Sequence, residues 1–256
     1  MNSPLEGPDK INQKNNQTEF SQHDLKADFP HIAEVFARGG SLDLADHEIL
    51  MAGQIDIKAR QQAFKVGVVG TRKPSLYGLE VVQKLMASLA GFPDWIWVSG
   101  GAFGIDGEVH RVALDLKLQT QAWLVGPIEK PSPHSHSALF RQMKNQRGSG
   151  LLVPKMLDPS AGHTLRPHSW LERNRWLAAD VDALVVVEAH EKSGTWNTAS
   201  QALEFAKETY LIPGSILNES SRGTNSMISA GYGHVVVSLT ELTKSLVVLS
   251  GQRSYN

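Results

Sequence analysis

The chain has 256 residues, a hydrophobic fraction of 41% and a formal net charge of −1. Its length and apolar content are sufficient for one large α/β domain, alone or with a small appendage. The near-neutral charge excludes a uniformly basic nucleic-acid binder, and the absence of cysteine excludes disulfides, thiolate metal sites and a cysteine nucleophile.

The first part of the chain predicts a tail followed by a short helical segment. Residues 1–26 are predicted to be a disordered tail, because they cannot bury enough apolar surface to offset their chain entropy. Residues 27–64 predict a helical preface that includes the apolar run at 49–51. The sequence shows neither a secretory signal pattern nor an apolar run of membrane-spanning length, so we expect a cytoplasmic protein without membrane contact.

Strands and helices alternate over the predicted main domain, residues 65–256. Near-continuous apolar strands separated by helices predict an α/β fold, an extended Rossmann-like parallel sheet with helices on both faces. The predicted strands cover 66–69, 95–98, 120–125, 151–153, 183–187, 210–212 and 235–237, and the predicted helices cover 76–89, 105–116, 137–145, 170–179 and 196–206.

Five glycine- or arginine-marked turns are spread over this region. Three of them follow an apolar run and open a helix-like segment, where a parallel sheet collects backbone N–H groups around an anion. We therefore predict a phosphate-binding groove at the carboxyl edge of the sheet. The predicted phosphate-binding residues are Gly70, Thr71, Arg72, Ser99, Gly100, Gly101, Gly104, Arg173, Asn174, Arg175, Lys192, Ser193, Gly194, Thr195, Gly223, Thr224 and Asn225.

The first turn supplies a hydroxyl from Thr71 and a planar guanidinium from Arg72, both suited to one phosphate. The spacing from Gly67 to Gly70 lacks the third glycine of the dinucleotide fingerprint, so no NAD site and no cofactor are predicted. The alternative interpretation is a polar turn that begins a helix.

The second turn, at 99–106, raises the question of a hydrolase. Asp106 and His110 are four residues apart on a helix, so a nucleophilic site with Ser99 is conceivable. However, Ser99 lacks the glycine that precedes it in a nucleophile elbow. The interpretation we favour is that Asp106 caps the turn and bonds its backbone.

The third turn lies in a locally basic stretch, 130–175, which contains eight lysines and arginines but only two acidic residues. Arginine forks at Arg173 and Arg175 bind phosphates, and an aromatic neighbour can stack on a base. Alternatively, the stretch is a solvated basic face and the arginines pair with Glu172 or Glu188. Trp176 is predicted to be core, while Trp170 is open to either role.

The last two turns give further anion sites, although Thr224 or Asn225 could simply cap a helix. The turn at 192–195 loosely resembles that of the cytokinin-activating phosphoribohydrolases, but Thr198 stands where those enzymes have their glutamate. The carboxylate that such a reaction needs is therefore missing. The histidines at 134, 136, 163 and 168 lack a further ligand at fixed spacing, so no metal site is predicted.

The order and amino-acid sequences of the turns, from Lys65 to His234, resemble those of the DNA-processing protein A (DprA/Smf) family. That resemblance implies a cytoplasmic, non-enzymatic, homodimeric protein that binds single-stranded DNA and loads the RecA recombinase in natural transformation. Ser132-Pro133 stands where the family commonly has Tyr-Pro, which removes an aromatic side chain. The alternative function is a nucleotide-binding or nucleotide-processing enzyme of the phosphoribohydrolase type on the same scaffold.

Overall fold

Apolar segments along the chain pair into an eight-stranded sheet in the computed structural model, which describes residues 49–166 and 168–253. The strands are β1 (Ile49–Gly53), β2 (Lys65–Val69), β3 (Ile96–Ser99), β4 (Gln119–Trp123), β5 (Gly150–Pro154), β6 (Ala183–Val186), β7 (Glu208–Leu211) and β8 (His234–Val235). The helices are α1 (Ile57–Gln62), α2 (Leu76–Ser88), α3 (Ile105–Asp115), α4 (Ser137–Asn145), α5 (Ser169–Asp180), α6 (Gly194–Glu204), α7 (Glu219–Ser229) and α8 (Leu239–Arg253).

The sheet has the order β1-β5-β4-β3-β2-β6-β7-β8, and every pairing except that of β1 with β5 is parallel. Every residue of β2, β3 and β6 is buried, as expected for strands with helices on both faces. The predicted Rossmann-like α/β fold is thus confirmed, with one antiparallel strand added at an edge.

The strand order reverses direction at β2. From β2 the chain moves through β3 and β4 to β5, then returns to place β6 on the other side of β2. The loops that leave β2 and β6 therefore diverge, and a crevice opens between them at the carboxyl edge.

Helices on both faces enclose the core. On one face α2, α3 and α8 pack over β2 and β6, and α4 covers a smaller cluster over β4 and β5. On the other face α5 contacts α6, and Trp176 of α5 stacks on Trp123 with ring centroids 5.8 Å apart. Trp176 is buried, as predicted.

A buried ionic cluster lies where α5 ends. The Asp180 carboxylate accepts hydrogen bonds from the Arg60 guanidinium and, at 2.9 Å, from Trp123 Nε1, while Lys65 Nζ lies 3.4 Å away. Burial acts to raise the pKa of Asp180, but the charges of Arg60 and Lys65 outweigh it and hold the pKa below its usual range. Arg60 thereby ties α1 to α5.

The structure corrects part of the predicted helical preface. The apolar run at 49–51 belongs to β1, which pairs antiparallel with β5, because the edge of β5 offers backbone hydrogen-bond partners to an extended segment, whereas a short helix is only marginally stable. Over residues 49–64, the part of the preface that the structure describes, the helix is α1, which Asp56 caps. The predicted tail, and the preface before residue 49, lie outside the described residues.

Helix α8 packs partly against the sheet. Leu242 and Leu246 are buried in the core cluster, whereas Val247 and Val248 are 37% and 61% exposed. Over the described ranges, no helix combines the length and apolar character needed to cross a bilayer.

Candidate nucleic-acid interface

The crevice between β2 and β6 contains a cavity of about 460 Å³. Its walls are the loops after β2 and β3, helix α5, the loop after β6 and the first turn of α6. Ligands of open α/β sheets bind at such a point, outside the carboxyl ends of the strands. Of the predicted site residues, the structure brings together at this cavity Gly70, Thr71, Arg72, Arg173, Asn174, Ser193, Gly194 and Thr195.

The loop after β2 is held firmly and presents two cations. The Thr71 backbone N–H donates to the Glu188 carbonyl at 2.7 Å, and the Thr71 carbonyl accepts from Ile105 N at 3.2 Å. Thr71 is buried, and its hydroxyl oxygen accepts a hydrogen bond from Lys73 N at 3.2 Å. The side chains of Arg72 and Lys73 are exposed at the cavity. Lys73 was not among the predicted residues, although it follows Arg72 directly.

Arg173 forms part of the cavity wall from within the protein. It is 6% exposed, and its Nη1 donates to the carbonyls of Gly100 at 2.8 Å and Trp123 at 3.2 Å. Burial lowers the pKa of this guanidinium, although the charge of Asp106 opposes the shift. Its Nε has no hydrogen-bond partner among the described residues. Arg173 therefore brings a positive charge, partly balanced by Asp106, to the cavity.

The glycines of the second turn serve this packing. A Cβ at Gly100 would lie 1.8 Å from Arg173 Nη1, and one at Gly104, where φ is +75°, would lie 2.3 Å from the Thr71 carbonyl oxygen. Gly101 is buried. None of these three glycines lines the cavity, which differs from the expected contact with phosphate.

Ser99 and Asp106 have partners that leave no room for a catalytic triad. Ser99 is fully buried, and its hydroxyl donates to the Val68 carbonyl at 2.7 Å. His110 Nδ1 lies 2.7 Å from Thr120 Oγ1, and burial lowers the pKa of His110 to about 3, so the ring is neutral. Burial raises the pKa of Asp106, while the charge of Arg173 and a hydrogen bond from the Ala102 backbone oppose the shift. The favoured interpretation, a structural role for Asp106, agrees with these contacts.

The start of α6 faces the cavity without a side-chain cap. Ser193 is the N-cap residue, yet its hydroxyl makes no cap hydrogen bond and has no partner among the described residues. Thr195 Oγ1 donates to the Gly70 carbonyl at 3.1 Å, which fixes the helix start against the β2 loop. Asn174 Nδ2 donates to the Gly194 carbonyl at 3.2 Å. The positive end of the helix dipole is therefore directed at the space that Arg72 also borders.

Several predicted residues lie elsewhere. Lys192 is exposed but does not line the cavity. Arg175 is half-buried, and its guanidinium carbon lies 5.3 Å from the Phe205 ring centroid. Side chains two positions apart on a helix point in different directions, so Arg175 does not share the cavity wall with Arg173. The expectation that Arg175 contacts a phosphate at this cavity is corrected by that position.

The last predicted turn lies inside α7 and does not begin a helix. The N-cap of α7 is Asn218, so the alternative interpretation, in which Thr224 or Asn225 caps a helix, is wrong. Thr224 is fully buried and donates to the Ser221 carbonyl at 3.0 Å. The Asn225 amide bonds both the N–H and the carbonyl of Gly214, at 3.1 and 3.0 Å. Gly223 packs so closely that a Cβ would lie 2.5 Å from the Ala189 carbonyl oxygen.

Trp170 stands at the mouth of the cavity and is 44% exposed. The Arg173 guanidinium carbon lies 6.0 Å from its ring centroid, so the cation and the indole form one surface. Thr198 and His190 also line the cavity, and Asp106 is the one carboxylate among the described lining residues. The sequence pointed to Trp170, Asp106 and Thr198 through the motifs beside them, whereas only adjacency to a predicted turn could have identified His190.

Comparisons with known proteins agree with this architecture. The family model described as DNA recombination-mediator protein A matches residues 41–247. A DNA processing protein DprA of Mycobacterium tuberculosis is 38% identical over 164 residues, 64% of this chain and 40% of its own length. The Bacillus subtilis DNA processing protein DprA is 30% identical over 207 residues, 81% of this chain and 62% of its own length. The chain thus spans less than two thirds of these curated relatives.

Two solved structures share the fold. The Helicobacter pylori DNA processing protein A, described with a single-stranded DNA binding mode, superposes with a TM-score of 0.66 at 25% identity, covering 78% of this chain and 86% of that one. The Streptococcus pneumoniae DNA processing protein A also gives 0.66, at 26% identity, covering 86% of this chain and 78% of that one.

Proposed function

Because the chain belongs to the DNA recombination-mediator protein A family, which confirms the resemblance seen in its turns, we propose that it binds single-stranded DNA in the cavity between β2 and β6. The observation that carries the proposal is the uncapped start of α6, which lines the same cavity as Arg72. Backbone N–H groups at a helix start and an arginine fork are complementary donors for one phosphate.

Each wall of the cavity has a separate part in binding. The backbone N–H groups of the first turn of α6 donate to a phosphate, while Arg72 and Lys73, which line the same cavity, neutralise its charge. The buried charge of Arg173 raises the positive potential beneath them, because the low dielectric of its surroundings screens it weakly.

The exposed face of Trp170 supplies the contact with a base. Stacking on an aromatic ring is tolerant of sequence because every base has a π-face. The cavity is recessed between loops, so the nucleotide of a single strand can enter it. A nucleotide in a duplex is held by base pairing to the other strand and cannot enter in the same way. We therefore expect preference for single strands over duplex, with little preference for sequence.

The experiment that tests this proposal is a competition titration at two salt concentrations. A labelled single-stranded oligonucleotide bound to the purified protein is displaced with unlabelled single strand or blunt duplex of equal length. We expect single strand to compete better and affinity to fall steeply with salt. Equal or better competition by the duplex would overturn the proposal.

We further propose that the protein acts as a homodimer in the cytoplasm and loads RecA onto the bound strand during natural transformation. The family resemblance supports this role, and the exposed Val247 and Val248 of α8 offer an apolar surface to a second copy. A dimer would double the phosphate contacts on one strand and so raise its affinity through effective concentration. Light scattering at micromolar protein tests the assembly: a monomer of about 28 kDa would remove the dimer and leave the cavity proposal standing.

A further inference from the structure

The N-terminal part of the chain joins the sheet at the same edge as the cavity. β1 runs antiparallel to β5, and its first residue, Ile49, pairs with Pro154, the last residue of β5. The chain that precedes Ile49 is therefore attached at the carboxyl edge, beside the loops that follow β4 and β5. These loops, residues 124–136 and 155–166, are here called the β4–β5 rim, and they lie between β1 and the cavity.

The segment directly before β1 is acidic. Residues 41–48, here called the acidic segment, contain Asp43, Asp46 and Glu48 and neither lysine nor arginine, so their formal charge is −3 with histidine neutral. The whole chain carries a formal charge of only −1, so this segment is a local concentration of negative charge. Such a segment repels a nucleic-acid strand and is attracted to a cationic protein surface.

The β4–β5 rim has the opposite charge. Lys130 and Arg166 are exposed on it. Of its two carboxylates, Asp158 is fully buried and accepts a hydrogen bond from Ile128 N at 2.9 Å, so Glu129 is the carboxylate that faces solvent. The acidic segment is therefore attached beside a surface of complementary charge.

The loops on the far side of the cavity lack that complement. Residues 212–218 after β7 and residues 236–238 after β8 contain no charged side chain and no histidine. Ile216 and Leu217, the most exposed side chains there, are apolar. The point of attachment and the distribution of charge thus select the same surface for the acidic segment.

The acidic segment is long enough to cross the rim. From β1 to β2, the first strand beside the cavity, the sheet order counts four spacings of about 4.8 Å, about 19 Å in all. Extended chain spans about 3.3 Å per residue, so residues 43–48 cover about 20 Å. This length brings Asp43 within reach of the cavity mouth, where Arg72 and Lys73 are exposed.

We propose that the acidic segment occupies the β4–β5 rim and the cavity mouth when no DNA is bound, and that a DNA strand must displace it to reach the cavity. The inference rests on the proposed function, because segment and strand compete for one surface. Exposed charge pairs are individually weak, but the segment is tethered and its effective concentration is high. The competition favours strands long enough to exchange many phosphates for three carboxylates.

A charge-neutral variant of the full chain tests this competition. One triple variant removes the three negative charges of the acidic segment and keeps the side-chain shapes: Asp43→Asn, Asp46→Asn and Glu48→Gln. The matched control removes the same charge from the first twenty residues: Glu6→Gln, Asp9→Asn and Glu19→Gln. Circular dichroism melting verifies that both variants fold.

Affinity for an oligothymidylate of about 15 nucleotides is measured at about 50 and about 200 mM salt. At the lower salt concentration the acidic-segment variant should bind about tenfold more tightly than the wild type, because the strand no longer displaces a competing anion. At the higher concentration the difference should shrink to about twofold, because salt screens exposed charges. The control should stay within about twofold of the wild type throughout.

A second measurement needs no DNA. The chain contains no cysteine, so Ser41→Cys accepts one fluorophore of the kind that tryptophan quenches on contact. Trp170 is exposed at the cavity mouth. We expect the emission to be quenched at low salt and to rise when salt or the oligothymidylate is added. With Trp170→Phe in the same chain, the emission should be high from the start.

Equal gains in affinity for the two triple variants would attribute the effect to net charge and overturn the proposal, as would the absence of any gain. Emission that responds neither to salt nor to Trp170→Phe would also overturn it, because the segment would then lie elsewhere. Failure of the wild-type protein to bind the oligothymidylate would instead overturn the proposed function, and salt-dependent quenching would still be measurable. The two failures are therefore distinguishable.

Discussion

The carboxylate of Glu188 accepts two hydrogen bonds from Ser75, one from its backbone N–H at 2.9 Å and one from its hydroxyl at 2.6 Å. It also accepts the hydroxyl of Ser220 at 2.9 Å. Ser75 is the N-cap of α2, and Ser220 lies in the first turn of α7. One fully buried carboxylate after β6 therefore fixes the starts of two helices beside the cavity. Glu188 thus has structural partners and lies apart from the cavity lining.

Replacement of Glu188 by alanine should destabilise the fold strongly. The change leaves the buried hydroxyl of Ser220 and two half-buried donors of Ser75 without an acceptor, and each buried unsatisfied group costs about 1–3 kcal/mol. We expect the free energy of unfolding in urea to fall by about 3 kcal/mol or more. Glu80→Ala in α2 is the control, because its ion pair with Lys84 is exposed on both sides. Similar losses for the two variants would contradict the role given to Glu188.

Arg72→Ala should weaken DNA binding and leave stability unchanged. The side chain is exposed at the cavity, and a charged hydrogen bond to phosphate is typically worth about 1.5–3 kcal/mol. Arg175→Ala removes the same charge from a side chain packed on Phe205, so it should reduce thermal stability and have little effect on DNA affinity. Titration and melting of both variants test the contrast, and unfolding of the Arg72 variant would refute it.

Trp170→Ala should reduce affinity for single strands by removing a stacking surface. Loss of one base–aromatic stack costs about 1–3 kcal/mol, whereas Trp170→Phe should retain most of the binding. The side chain is 44% exposed, so melting temperatures should change little. If the phenylalanine variant binds as weakly as the alanine variant, stacking is not the contribution of Trp170.

Asp180→Asn should destabilise the protein at neutral pH. It should also weaken the decrease in the free energy of unfolding that accompanies acidification. The pKa of Asp180 is held below its usual range, so its contribution is fully present above the unfolded value of about 4 and is lost as pH falls through the lower folded value. Breaking a buried ion pair costs about 3–5 kcal/mol. Urea unfolding between about pH 3 and pH 7 measures both effects, with Asp94→Asn on an exposed loop as the control. If the free energy of unfolding falls as steeply with acidification in the Asp180 variant as in the wild type, this linkage is excluded.

The protein should not release free base from nucleoside monophosphates. Thr198 lines the cavity where the resembling hydrolases have a glutamate, and its hydroxyl donates to the Gly194 carbonyl at 3.1 Å. Asp106, the carboxylate at the cavity, interacts with Arg173 and with its own turn. Chromatography of a long incubation tests this, and base release that disappears in Asp106→Asn would establish the nucleotide-processing alternative.

The elements predicted best from sequence are those whose pattern of apolar residues lies wholly within the segment and does not depend on a distant partner. The helix at Ser137–Asn145 has the predicted bounds, and β6 falls within a run of five consecutive apolar residues. β1 was not predicted, because its apolar residues also fit a helical turn and only pairing with β5 makes them a strand.

The candidate site was predictable to the extent that glycine turns follow parallel strands. The convergence of Gly70, Arg72 and Gly194 follows from where such strands end. The role of Gly100 does not, because its neighbour is Arg173, 73 residues away in the chain. Nor does local pattern reveal that Thr224 lies within a helix, since Gly-Thr-Asn is equally suited to a helix start.

The contact between Arg60 and Asp180 bears on where a recombinant fragment of this chain should begin. A recombinant fragment that begins at Lys65, where the alternating strands and helices start, would leave Asp180 with one of its two cationic partners. Gln121 Oε1 would lose the hydrogen bond that Arg60 Nε donates to it at 2.6 Å. The fragment would also uncover the full edge of β5, a template for pairing with other chains. Expression boundaries placed before Ile49 retain both the charge balance and the closed edge.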